Sequence, residues 1–204
     1  MSSSPRPVQP RPLQKIVLTG APGSGKTTIA RTLAEARPDS YLHVPEAATQ
    51  TYTALMTRWD KLDDAGRRDA QLRIYALQVS QEAASIEQAR GGVILLDRGT
   101  IDGAAYWPDG PERYWETLQS SHARELSRYD LVLMLESVAA LGQYDGDKSN
   151  STRFESAQES LENAKVLEKL WNPHPNLIRI AATRDLPDKL AAVERAIDHY
   201  LAIV

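Results

Sequence analysis

The octet Gly20-Ala21-Pro22-Gly23-Ser24-Gly25-Lys26-Thr27 fits the pattern G-x-x-x-x-G-K-[ST] in full. Glycines at this spacing let the main chain turn tightly and aim successive N–H groups at one point, where they can cradle a phosphate. An ammonium group at Lys26 suits the β- and γ-phosphates of a nucleotide, and a hydroxyl at Thr27 suits a magnesium ion. The expected chemistry is therefore the binding of a nucleoside triphosphate with Mg²⁺ on Gly20 to Thr27, with Thr28 at the edge of the contact.

Further along, Asp97 closes the apolar run Val93-Ile-Leu-Leu-Asp97. A carboxylate at the exit of a parallel strand lies where ligands gather, and it can join Thr27 in holding Mg²⁺, directly or through water. Its other possible task is to cap the next helix. Arg98 follows at once and could clamp a phosphate or substrate. Glu46, in VPEAATQ, and Asp102, in DRGTIDGAAYW, are candidate bases or hydrogen-bond acceptors for a substrate hydroxyl. Each could equally be an acidic residue stabilised at a helix N-terminus. Arg153 follows the polar stretch QYDGDKSNST, and an arginine on a closing loop can bring positive charge to a γ-phosphate. Pairing with Glu155 or Glu159 on the surface would be its ordinary use. Tyr52, Trp59, Tyr106 and Trp107 flank the substrate side, where they could wall a ring, although core packing is the commoner fate of such side chains. His174 has no ligand-type neighbour at a useful spacing and reads as structural.

Strand-like and helix-like segments alternate around these residues, which predicts an α/β fold with a mainly parallel sheet. Apolar runs at 15–19, 41–44, 93–97, 131–136 and 177–181 are the expected strands. Helices are expected up to about Arg37, through much of 46–90, over 111–127, at about 155–171 and from Pro187 onward. In the long excursion, Leu72, Tyr75, Val79 and Ile86 fall on one stripe. The final helix presents Leu190, Val193, Ile197, Leu201 and Val204.

The 204 residues suit one domain with a single core. A net charge of −3 exerts no general pull on nucleic acid or anionic lipid, and no nucleic-acid partner is expected. There is no cysteine, so disulfides, thiolate metal sites and a cysteine nucleophile are excluded. No apolar run approaches the roughly 20 residues that span a bilayer. Residues 1–14 carry four prolines and three serines without an apolar segment, and read as a disordered tail ahead of a domain at 15–204. Cytoplasm is the expected compartment.

Taken together, VLTGAPGSGKTT, VPEAA, LLDRGTIDGAAYW, YDLVLMLE and SNSTRFESA resemble the nucleotide-kinase-like P-loop proteins often labelled predicted ATPases. That AAA-type, kinase-like group includes the nicotinamide riboside kinase domain of the bacterial NAD regulator. The DRG-x-x-D-x-x-A-Y and N-x-x-R-x-E-S runs look most like the branch of the insect TRPL translocation-defect protein. The resemblance covers about residues 15–200. It implies a three-layer α/β/α P-loop NTPase fold on five strands, with Asp97 and Arg98 at the Mg²⁺ and phosphate site and Arg153 in a lid. It also implies that Ala182 to Asp185 border the nucleotide base. There is no [NT]-K-x-D run, the usual guanine reader, which favours ATP while leaving GTP possible.

Two functions follow as expectations. One is a kinase that moves the γ-phosphate of ATP to a small-molecule acceptor. The other is a nucleotide-binding regulator that hydrolyses slowly and signals to a protein or phosphoinositide partner.

Overall fold

The computed structural model describes residues 12–89, 92–137 and 157–204. Short apolar runs bounded by glycine, proline or charge form the strands β1 (Gln14–Thr19), β2 (Tyr41–Val44), β3 (Val93–Asp97), β4 (Leu131–Leu135) and β5 (Leu177–Ile180). They make one five-stranded sheet in the order β2-β3-β1-β4-β5. All four pairings are parallel, so no antiparallel strand interrupts the sheet. Every residue of β3 and β4 is buried, as strands covered on both faces must be.

Alternation along the strands divides the core into two layers. Ile16, Leu18, Leu95 and Leu133 pack on one face against helices α1 (Lys26–Ala36) and α7 (Leu186–Leu201). Val17, Ile94, Leu96 and Val132 pack on the other against Ile101, Trp107, Tyr114 and Trp171. Those four large residues come from a 3-10 helix (Thr100–Tyr106) and its exit, from α4 (Pro111–Leu118), and from α6 (Ala157–Trp171). Burying each Leu or Ile side chain contributes about 1.5–3 kcal/mol, which makes this three-layer packing the main stabilising term. Among the described residues no helix is long and apolar enough to cross a membrane.

The structure departs from the sequence expectations at four places. β1 begins at Gln14, inside the stretch read as tail. The Gln14 N–H donates to the Gly92 carbonyl at 3.0 Å, and its Oε1 accepts from the Tyr200 hydroxyl at 3.2 Å. The segment 111–127 is two helices, α4 and α5 (His122–Leu126). Gln119 ends the first in a left-handed conformation with φ 52°, and the Ser121 side chain caps the second by accepting from the Arg124 N–H. The face of α7 ends at Tyr200, with Leu201 only half-buried and Val204 exposed.

The largest departure is α3 (Asp64–Gln88), which follows the short α2 (Ala47–Ala54). Its buried residues are Ala70, Gln71, Gln78, Glu82 and Ser85, whereas Ile86 is 48% exposed. Leu72 and Tyr75 reach the core only in part. A polar stripe faces inward because it finds polar partners there. Glu82 Oε1 accepts from Gln78 Nε2 at 3.2 Å and from the Tyr129 hydroxyl at 2.9 Å. Its Oε2 accepts from Arg128 Nη2 at 2.8 Å and Lys15 Nζ at 3.4 Å. Removing this carboxylate takes a partner from two cations and a buried phenol, leaving Arg128 with Glu125 and the Tyr129 hydroxyl with Thr100. Glu82→Ala should therefore cost about 3 kcal/mol in urea unfolding, and an unchanged midpoint would show the network to be idle.

Candidate functional site

The loop that leaves β1 is shaped by its glycines. Gly20 adopts φ 130°, and a Cβ there would lie 2.2 Å from the Leu135 carbonyl oxygen, so only glycine fits. Gly23 and Gly25 also take positive φ, 73° and 87°. α1 then starts at Lys26 with no acidic residue in its first turn, leaving its positive end uncountered. Lys26 is buried, and its Nζ donates to the carbonyls of Gly20 and Ala21, each at 2.9 Å, and to Ser24 Oγ at 3.0 Å. The ammonium group thus lies under the arch of the loop.

The register between β1 and β3 sets Leu18 opposite Asp97 and brings the end of β3 beside this loop. Thr27 Oγ1 donates to Asp97 Oδ2 at 2.5 Å, while Asp97 Oδ1 is buried without a hydrogen-bond partner. A hydroxyl next to a carboxylate with one unpartnered oxygen is a hard-oxygen donor pair, which fits Mg²⁺. Among the described residues no group of three His, Cys, Asp or Glu could hold a metal alone, so the remaining ligands would be phosphate oxygens and water. Burial, and after it the charge of Glu46, push the Asp97 carboxyl above its ordinary pKa, against the pull of Lys26, Thr27 and Arg98.

Arg98 leaves the strand in a left-handed conformation with φ 78°. Its N–H donates to the Leu18 carbonyl at 3.0 Å, and its own carbonyl accepts from Gln78 Nε2 at 3.2 Å. The guanidinium is buried between two carboxylates: Nε donates to Glu46 Oε1, and Nη1 to Asp102 Oδ2 at 3.1 Å. It also lies 5.9 Å from the centre of the Tyr106 ring. Burial opposes its charge, but Tyr106, Glu46, Asp102 and Asp97 outweigh it and raise its pKa well above the ordinary value.

Asp102 is 3% exposed, and it also accepts from Thr19 Oγ1 at 2.9 Å and from Trp171 Nε1 at 2.6 Å. Glu46 precedes α2, and its Oε2 accepts from Thr49 Oγ1 at 2.6 Å. Four of the residues singled out in the sequence, Glu46, Asp97, Arg98 and Asp102, thus meet at one sheet edge. Arg153 lies outside the described residues.

A cleft of about 520 Å³, its open mouth included, begins at Arg98, Glu46 and Asp102. Tyr52, Trp59 and Tyr106 wall it, whereas Trp107 is packed in the core. Sequence reasoning missed Gln71, Ile74, Tyr75 and Gln78, which recur at helical spacing along α3, and Tyr114 from α4. The helical spacing was the available signal, hidden because two of the four are amides. His174 is structural, since its Nδ1 accepts from the Asn176 N–H at 3.2 Å and its Nε2 meets the Tyr129 carbonyl at 2.9 Å. At the far edge, Ser137 Oγ donates to the Pro22 carbonyl at 3.1 Å. Nearby, the Ala182 N–H donates to Glu136 Oε2 at 3.2 Å, and the buried Lys189 donates to the Glu136 carbonyl at 2.5 Å. These bonds tie the loop after β5 to the phosphate loop.

A family described as an AAA domain matches residues 15–189, and the chain belongs to it. No curated protein matches the sequence. Among solved structures, NadR in complex with NAD and AMP-PNP is similar over 93% of this chain and 49% of its own, at 19% identity and a TM-score of 0.66. The present chain therefore spans about half the length of that protein. Deoxyadenosine kinase from M. mycoides with bound dATP is similar over 90% of this chain and 99% of its own, with 14% identity and a TM-score of 0.65. Thymidylate kinase from Candida albicans is similar over 94% and 93% respectively, with 19% identity and a TM-score of 0.64. At these identities the likeness establishes a fold, which is the nucleotide-kinase-like P-loop fold.

The raised pKa of Asp97 has a consequence for stability. The folded state holds this proton more tightly than the unfolded chain does, so ionisation penalises the fold. The penalty is absent below the unfolded carboxyl's pKa of about 3.9, grows as pH rises through the folded value, and is complete above it. Asp97→Asn should therefore raise the melting temperature of the metal-free protein at pH 7, with the gain vanishing near pH 4. A lower melting temperature at pH 7 would show that Lys26 and Arg98 outweigh burial.

Proposed function

We propose that the chain is an ATP-dependent phosphotransferase that moves the γ-phosphate to a small molecule held in the cleft beyond Arg98. The observation that carries this reading is adjacency: Asp97, paired with Thr27, ends β3, and the next residue, Arg98, lines the mouth of an aromatic-walled cleft. A nucleotide hydrolase that acts only on water has no need of such a cleft.

In this reading the amides of Gly20 to Thr27 bind the phosphates, and Lys26 leaves its carbonyl partners to pair with the β- and γ-oxygens. Thr27 and Asp97 would hold Mg²⁺, which when bound neutralises charge on the transferring group. Glu46, at the cleft wall, orients the acceptor hydroxyl and receives its proton. Asp102, engaged by three donors, positions Arg98. Arg98 aligns Glu46 and offers positive charge beside the reacting oxygen. Arg153, from the sequence alone, supplies a further donor to the γ-phosphate. Catalysis is then positioning plus charge stabilisation.

Incubating the full chain with labelled ATP, Mg²⁺ and a panel of nucleosides, sugars and nucleotides tests this. At least one acceptor should be phosphorylated, and Lys26→Ala should lower that turnover by about 100-fold or more. Turnover no greater than that of Lys26→Ala on every acceptor would refute the reading.

A further inference from the structure

Arg98 carries the guanidinium that meets Glu46 and Asp102, yet its backbone sits in the region that favours glycine, with φ 78°. Glycine or asparagine would take that turn at lower cost, so the surroundings must hold an arginine in it. The next residue is Gly99, which has no Cβ to resist rotation of the Arg98–Gly99 peptide plane. Local stiffness of the chain therefore does not fix the turn. Bonds from elsewhere have to.

On one side the Arg98 N–H donates to the Leu18 carbonyl. On the other side the Arg98 carbonyl depends on Gln78. Gln78 Nε2 donates to that carbonyl and to Glu82 Oε1, each at 3.2 Å. Both partners are acceptors, so the amide has one workable orientation, and its two N–H bonds are spent there. Gln78 is 3% exposed and Glu82 1%, which leaves little room for water to replace the bridge. Glu82 is a firm anchor, since it also accepts from the Tyr129 hydroxyl and from Arg128. Gln71, seven positions earlier on the same helix, reaches the Tyr52 hydroxyl instead, so the bond to Arg98 is particular to Gln78.

A guanidinium hangs at the end of a long side chain, and a small rotation at its peptide displaces it far more than the backbone moves. Displacement of about 1 Å at a reacting centre can cost about 100-fold in rate. The bridge touches neither the phosphate loop nor the Asp97 carboxylate. We propose that Gln78 is a positioning residue for phosphotransfer: it ties the Arg98 carbonyl to Glu82 and so aims the guanidinium at Glu46 and Asp102. Its role rests on the phosphotransfer reading above and lies in rate rather than in nucleotide affinity.

The full chain is compared with Gln78→Met, which removes both donors at similar volume, and with Gln78→Glu, which keeps the shape and removes the donor. The acceptor is the compound of the ATP panel that is phosphorylated fastest. Both variants should lose about tenfold or more in kcat, as one buried hydrogen bond predicts, with the KM for ATP unchanged. The second readout is the NMR signal of Arg98 Nε–H, assigned by its disappearance in Arg98→Lys. Its exchange with water should quicken by about tenfold or more in both variants. Should the methionine variant not fold, the glutamate variant decides alone. Unchanged kcat and exchange, with only a lower melting temperature, would make Gln78 structural and overturn the proposal. A changed acceptor KM with the Arg98 signal intact would also overturn it, because Gln78 lines the cleft and would then act by touching the acceptor. If the wild-type chain phosphorylates nothing, the phosphotransfer reading falls and takes the rate effect with it. The Arg98 signal would still decide whether Gln78 aims the guanidinium.

Discussion

Thr27 and Asp97 touch at 2.5 Å although 70 positions separate them, and the rest of the molecule is organised so that they can. The contact follows from strand register. β1 and β3 are parallel neighbours with Leu18 opposite Asp97, so the exit of β3 meets the loop that leaves β1. β2 joins the same register on the other side, with Val44 opposite Leu96, which brings Glu46 level with Arg98. Because every pairing is parallel, these exits share one edge, and the candidate groups converge without any long loop having to carry them.

Burying a guanidinium at that edge imposes the second constraint. A left-handed arginine costs on the order of 1–3 kcal/mol and persists only where its surroundings hold it. Here the Leu18 carbonyl takes its N–H, and Gln78 donates to its C=O. Gln78 in turn is fixed by Glu82, which also gathers Tyr129, Arg128 and Lys15. The Tyr129 hydroxyl accepts from the Thr100 N–H at 2.7 Å and so anchors the 3-10 helix that carries Asp102. The adjacent Gly99 passes so near Trp171 that a Cβ would fall 2.8 Å from the ring. One polar network and one tryptophan therefore set the attitude of Arg98, and with it the mouth of the cleft.

Much of this edge was legible in the sequence. Unbroken apolar runs announce strands buried on both faces, and the glycine spacing announces the phosphate loop, because both are local properties. The inner face of α3 was not legible, since Gln71, Gln78 and Glu82 are buried by partners far away in the chain, such as Tyr129, 47 positions on. Apolar periodicity therefore pointed to Leu72, Val79 and Ile86 instead. The bond between Asp102 and Trp171 spans 69 positions and left no local trace either. The break at Gln119 was hidden for a different reason: a non-glycine residue adopts the left-handed conformation there, which sequence reading assigns first to glycine.

A crystal structure of the chain with Mg²⁺ and a non-hydrolysable ATP analogue tests the central claim most directly. The β-phosphate should lie inside the arch of Gly20 to Thr27, with a cation between Thr27 and Asp97 and their direct hydrogen bond opened. Nucleotide seated elsewhere, with that hydrogen bond intact, would contradict it.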